Sequence, residues 1–179
     1  MTRDGFTLIE LLVTIAVLAI LVTVAIPAFN QIEQRRTIGA AEDMLNHVQL
    51  ARTEAIKQGR NIFLVSEGNG GEWCHGISSQ GPCSCSETGS CSLVLAGNEE
   101  PSEIRTSNEA FRNIAMESDG VNDGVIEFDS VRGTLLGGQA RSITFTSSPN
   151  NFQMRLEVNP IGRPRLCGVD RPLGAYRQC

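Results

Sequence analysis

The sequence predicts an α+β protein in which one long N-terminal helix is the spine of an antiparallel, sheet-rich domain. Three observations predict it. Leu11 to Ile26 is an apolar run without a charge, an apolar stripe at spacings of three and four then continues to Ala55, and from Asn61 onward short β-type runs alternate with Gly, Asn, Ser and Pro. With 179 residues, 41% hydrophobic and 20% charged, the chain fits one globular domain with an appendage, which excludes a disordered tail protein. The 15 Lys plus Arg against 20 Asp plus Glu give a formal charge of -5, so any nucleic-acid contact must be a local patch. Lys57 is the single lysine, and Arg suits bidentate pairing with carboxylate or phosphate. Aromatic residues make up only 5%, so the core must be aliphatic.

The first element is the run from Leu11 to Ile26, extended by Phe6 to Ile9 before it and Pro27 to Phe29 after it. This is long enough to span a bilayer, which takes about 20 helical residues. A cleaved secretory signal has a shorter apolar core and an A-x-A-like exit, whereas the exit here is AIPAFN. Glu10 interrupts the run, and a carboxylate at bilayer depth costs about 2.5 to 3.5 kcal/mol on insertion scales. Either it snorkels to the membrane surface, or it pairs with a cation from another chain or from a new N-terminus made at Phe6.

Beyond the membrane segment Ala41, Met44, Val48, Ala51 and Ala55 form one stripe, with Lys57 in the last turn and Gly59 as the stop. The helix is therefore expected from about Phe6 to Gln58, embedded in its first half and packed on a sheet in its second. Strands are expected near Asn61 to Val65, Ser92 to Leu95, Phe111 to Met116, Val125 to Phe128, Ser142 to Thr146, Phe152 to Val158 and Arg163 to Cys167. SSPNN and NPIG supply turn chemistry between the last three. Ser66 to Ser90 is expected to be a Gly- and Ser-rich loop.

The segment GFTLIELLVTIAVLAILVTVAIPAF, Gly5 to Phe29, resembles the class III signal segment of type IV pilins and pseudopilins. The resemblance implies a leader over 1–5 cut by a prepilin peptidase between Gly5 and Phe6, and N-methylation of Phe6. It also implies a retained transmembrane and assembly segment over 6–29 and an exported domain over 30–179. Glu10 would then pair with the N-terminal amine of a neighbouring pilin subunit, which supplies the cation that a buried carboxylate needs. Pro27 falls where such proteins carry a helix-kinking proline. The leader MTRDG departs from the pattern, because Asp4 offsets Arg3, and Arg35 with Arg36 follows the span; charge counting alone does not orient the chain. The peptidase motif and the downstream cysteines both place the N-terminus in the cytoplasm and the domain across the inner membrane.

Six cysteines, Cys74, Cys83, Cys85, Cys91, Cys167 and Cys179, follow the membrane segment, and an even number in an exported domain reads as disulfides. Cys167 and Cys179 are expected to close the C-terminal loop. The other four cross-link the Ser66 to Ser90 region with a connectivity that the sequence leaves open. Zinc on Cys74, Cys83, Cys85, Cys91 and His75 is the alternative, but the spacing matches no paired C-x2-C knuckle.

Catalytic chemistry is thin. The two histidines are His47 on the helix, read as a surface or packing residue, and His75 in the cysteine loop; no HExxH, GxSxG or glycine-rich phosphate loop occurs. The nine acids from Glu99 to Asp129 form no acid–base pair and read as a solvated face or subunit contact, with calcium around Asp119, Asn122 and Asp123 as the minor alternative. The expectation is a non-enzyme without cofactor or metal.

The informative charge is at the C-terminus. Residues 155 to 179 hold Arg155, Arg163, Arg165, Arg171 and Arg177 against Glu157 and Asp170, five minus two or +3, in a chain of -5. In Gly162-Arg163-Pro164-Arg165 the glycine permits an unusual turn, and the proline fixes extended backbone. Arg163 and Arg165 then project to one side about 6.6 Å apart, a spacing for neighbouring phosphates. Such contacts are indifferent to base sequence.

NPIGRPRLC with the closing LGAYRQC resembles the GspH/FimT group of minor pilins and pseudopilins, and the GRxR element resembles the DNA-binding motif of FimT-type competence pilins. The resemblance implies a type IV pilin-like ectodomain of one helix on two antiparallel sheets, with Gly162 shaping the loop and Arg163 and Arg165 contacting DNA. Arg171 and Arg177, in the basic tail 159–179, are auxiliary on charge alone. Two functions are thus expected in competition, with an unrelated membrane-anchored adhesin or binding protein as the remaining alternative. One is a DNA-binding minor pilin serving natural transformation. The other is a structural or priming pilin, or a GspH-like tip pseudopilin of a type II secretion system, with the arginine tail docked on an acidic neighbour.

Overall fold

The computed structural model describes residues 7–95, 97–98, 100–119 and 124–179, and the side chains among these except those of 24–29. Gly5 and Phe6, and Asn122 and Asp123 of the calcium alternative, lie outside the described residues. Helix α1 runs from Leu8 to Gln58 and is followed by β1 (Ile62–Asn69), β2 (Glu72–Ser78), β3 (Ser92–Leu93), β4 (Ser102–Glu103), β5 (Arg105–Ser107), β6 (Ile114–Ser118), β7 (Val125–Phe128), β8 (Arg141–Ser147), β9 (Gln153–Val158) and β10 (Pro164–Gly168).

Both ends of α1 are chemically defined. Thr7 is the N-cap, its Oγ1 accepting from the Glu10 backbone N–H at 3.4 Å, so Thr7-x-x-Glu10 has the spacing of a capping box and puts an anion in the first turn. At the other end Gly59 takes the left-handed conformation, φ 62°, that closes a helix. Among the described residues no helix is long and apolar enough to cross a membrane, because the described side chains of the apolar run extend only from Leu8 to Thr23 and a bilayer takes about 20. Within that run Leu8, Ile9, Leu12, Leu18 and Ile20 are all more than half exposed, so the chain's own domain does not cover them.

The second half of the helix is where the core forms. Ala41, Met44, Val48, Ala51 and Ala55 are each fully buried, the stripe read from spacing. They pack on two antiparallel four-stranded sheets, in the orders β5-β2-β1-β7 and β10-β9-β8-β6; β3 and β4 form a separate ribbon. β8 shows why the second sheet is one-sided. Ile143 and Phe145 are buried, and Ser142, Thr144 and Thr146 are only half-buried, so alternate side chains meet the helix. Phe128, Phe145, Leu64, Met154 and Leu156 complete an aliphatic core with few aromatics, each side chain contributing about 1.5 to 3 kcal/mol.

The expected loop from Ser66 to Ser90 is corrected. It contains the end of β1 and all of β2, joined by a tight turn in which Asn69 pairs with Glu72 across Gly70 and Gly71. β2 escapes an alternation search because it is covered on both faces. Trp73, His75 and Ile77 are buried, and so are Cys74 and Ser78 on the side of the disulfides, while Gly76 lies so close to the Cys91 side chain that a Cβ would meet it at 2.7 Å. β4 and β5 were also not anticipated, and the strand expected from Phe111 begins at Ile114. The cysteines pair Cys74–Cys85, Cys83–Cys91 and Cys167–Cys179, which fixes the open connectivity.

Candidate nucleic-acid interface

The GRxR element lies where β9 turns into β10. The Asn159 side chain builds that turn: its Oδ1 accepts from Arg163 N at 2.8 Å, while its backbone carbonyl accepts from Gly162 N at 2.8 Å. Gly162 has φ 76° and is buried against a neighbouring turn; a Cβ there would lie 2.1 Å from the Gly133 carbonyl oxygen. That same oxygen accepts a hydrogen bond from Arg52 Nε on α1 at 3.0 Å. The motif is thereby latched to the helix, and only glycine fits.

Arg163 is exposed, and its side chain makes no hydrogen bond or ion pair with any described residue. Arg165 is exposed too, but its Nη2 is 2.8 Å from Glu157 Oε2, the residue directly across the β9–β10 ladder. Both arginines line one groove of about 500 Å³ together with Arg141, Ser142, Asn159, Glu157 and Asp119. Arg141 was not singled out from sequence. It is 5% exposed, and its Nε and Nη1 are buried without a hydrogen-bond partner among the described residues. A cation at the inward-facing start of β8 is unusual for a strand that otherwise alternates apolar residues, and that departure was the available signal.

The auxiliary arginines lie away from this groove. Arg171 sits over the Phe152 ring at 4.7 Å and lines a second depression with Asn150, Asn151, Gln153 and Asp170. Arg177 is exposed, its backbone carbonyl accepting from Gly168 N at 2.9 Å. The Cys167–Cys179 disulfide holds both in one loop, and Tyr176 ties that loop to the helix through a 2.6 Å hydrogen bond from its hydroxyl to Glu42. This hydrogen bond, then burial and the Glu42 charge, push the Tyr176 phenol up to about 12.

His47, read as a surface or packing residue, packs half-buried on the helix, whereas His75, read as a loop residue, is corrected. His75 is on β2, fully buried and stacked on Trp73, and its Nδ1 lies 2.8 Å from His47 Nδ1. Burial, and then the neighbouring His75, push His47 down to about 4, with Asp43 acting the other way. Glu10 is exposed in the first turn of α1.

Residues 40–162 match the family of type II transport protein GspH, most of the chain. The chain belongs to the GspH family. Residues 1–26 match the prokaryotic N-terminal methylation motif, so this GspH-family chain is a minor pilin or pseudopilin with a processed, membrane-anchoring N-terminal helix. The family match ends at Gly162, leaving Arg163 and Arg165 just beyond it. Crystal structures of the type IV minor pilin FimU of Pseudomonas aeruginosa PAO1 are similar in two crystal forms. One is 18% identical with a TM-score of 0.48, covering 77% of this chain and 96% of that one. The other is 17% identical with a TM-score of 0.47, covering 74% and 96%. No curated protein matches the chain.

Proposed function

We propose that this GspH-family protein is a minor type IV pilin that binds extracellular DNA without sequence preference through the GRxR turn, supporting DNA uptake in natural transformation. The observation that carries the reading is the placement of Arg163 and Arg165 along one groove at an exposed sheet end, held there by Gly162. The role is binding, not catalysis, and takes no cofactor. The Arg165–Glu157 pair is exposed, and such pairs are worth about 0 to 1 kcal/mol. A phosphate can therefore displace Glu157 from Arg165.

In this reading a prepilin peptidase cuts between Gly5 and Phe6, Phe6 is methylated, and Glu10 takes the N-terminal amine of the neighbouring subunit during assembly. The protein sits in the inner membrane with its N-terminus in the cytoplasm and its domain in the periplasm, and becomes extracellular in the filament. Three disulfides support an oxidising compartment for the domain.

A second reading is favoured by the same ion pair. Arg165 already donates to a carboxylate at 2.8 Å, so an acid on an adjoining subunit can take Glu157's place. The protein is then a structural or priming pilin, or a tip pseudopilin of a type II secretion system.

The deciding experiment titrates the oxidised full chain in detergent against two unrelated labelled DNA sequences at several salt concentrations, beside the Arg163→Ala/Arg165→Ala double variant. DNA uptake predicts binding of both sequences, and a log–log salt slope that falls by up to about 2 in the variant. No binding by the parent at low salt overturns it in favour of docking.

A further inference from the structure

We propose that Asp43, His47 and His75 form a binding site for one divalent first-row transition ion, such as zinc, which fastens helix α1 to strand β2. The chain has two histidines, and the fold brings them together although 28 residues separate them. Asp43 lies one turn before His47 on the same face of α1. One ligand atom from each of the three residues falls within a span of 4.8 Å.

The polar bookkeeping around His75 is what calls for a cation. Its Nδ1 meets His47 Nδ1 at 2.8 Å, which leaves the other ring nitrogen, Nε2, of each imidazole as its ligand atom. The His75 Nε2 faces Asp43 Oδ2 at 3.3 Å, within ion-pair reach, yet both atoms are buried and neither has a well-aligned hydrogen-bond partner among the described residues. Buried polar atoms are nearly always partnered. Two ligands held tetrahedrally at about 2.0 to 2.1 Å from one zinc lie about 3.3 Å apart, so an ion between this oxygen and this nitrogen satisfies both.

The donor set selects the class of ion. Two imidazoles and one carboxylate suit zinc, cobalt or nickel, whereas calcium and magnesium take oxygen ligands. The surroundings supply a wall and a door. Trp73 stacks parallel to His75 at 5.9 Å, closing one side, while the Asp43 side chain is 33% exposed and His47 is half-buried, opening the other to solvent and to a water as fourth ligand. Because His75 adjoins Cys74 of the Cys74–Cys85 disulfide, the ion secures the helix to the strand that carries the cysteine loop. The site shares no residue with the arginine groove and does not depend on the DNA reading.

The test uses the oxidised full chain in detergent, so that no thiol competes, with Zn(II) as titrant and ¹⁵N-labelled histidine. Expected are one zinc per chain by calorimetry and movement of both imidazole ¹⁵N spectra. The melting temperature should rise about 5 to 10 °C at a zinc concentration 100 times Kd. Co(II), in a separate titration, should quench the single tryptophan saturably. Asp43→Asn and His47→Gln should each weaken zinc binding at least about tenfold, while keeping the metal-free tryptophan emission. The proposal is overturned by absence of stoichiometric uptake, by uptake that leaves both imidazole spectra unmoved, or by folded variants that bind like the parent. Should a variant fail to fold, the imidazole spectra of the parent decide the matter alone.

Discussion

Replacing Gly162 by alanine tests the latch that presents the arginines. At φ 76° an L-residue costs about 1 to 2 kcal/mol relative to glycine. The added Cβ would also stand 2.1 Å from the Gly133 carbonyl oxygen, which must move and thereby surrenders the Arg52 hydrogen bond, worth about 1.5 to 3 kcal/mol for a charged donor. Together these give about 2.5 to 5 kcal/mol, or a fall of about 5 to 20 °C in Tm for a domain of this size. The assay is thermal unfolding of the oxidised full chain by circular dichroism. Repeating the substitution in an Arg52→Ala background should cost less, because the carbonyl is then free to move, and the difference measures the coupling. A Gly162→Ala variant that melts within about 2 °C of the parent would refute the argument from φ and close approach alike.

Three further outcomes are expected. Glu157→Gln frees Arg165 and removes an acid from the groove, so under the DNA reading affinity rises and the salt slope steepens by up to about 0.9; an unchanged slope in the binding titration contradicts it. Cys167→Ser/Cys179→Ser opens a loop of sequence separation 12, and loop entropy puts the loss at about 3 kcal/mol, read as a Tm drop of about 6 to 12 °C; an unchanged melt contradicts that. The phenol of Tyr176, the single tyrosine, should titrate in the ultraviolet at about 12, and Glu42→Gln should bring it back toward 10. The sign follows from a raised pKa: the stabilisation is complete below pH 10 and is lost as pH rises through 12. A phenol already titrating near 10 in the parent refutes the Glu42 hydrogen bond.

The helix and the second sheet were legible because each has one buried face. The period from Ala41 to Ala55 and the alternation in β8 record contact with a single core, and a one-sided contact leaves a periodic trace. β2 was illegible for the converse reason. The core covers one face and the Cys83–Cys91 and Cys74–Cys85 loops cover the other, so no alternation survives. The two-residue turn at Gly70 and Gly71, after Asn69, was the local signal that could have revealed the hairpin. The GRxR turn was legible as chemistry, yet its latch was not, since Arg52 and Gly133 are remote from it in sequence.

By itself the sequence determined the family-bearing N-terminal segment, the helical spine, the disulfide-bonded character of the domain and the charge reversal of the tail. Local patterns carry these: a hydrophobic run, a 3.6-residue period, a cysteine count and a sum of charges. Only the tertiary structure decided how Cys74, Cys83, Cys85 and Cys91 pair, that Glu157 answers Arg165, that Arg141 joins the groove, and that the two histidines meet beside Asp43. Each of these depends on strand register or on the seating of the helix against a sheet, and such long-range pairings follow from packing the whole core.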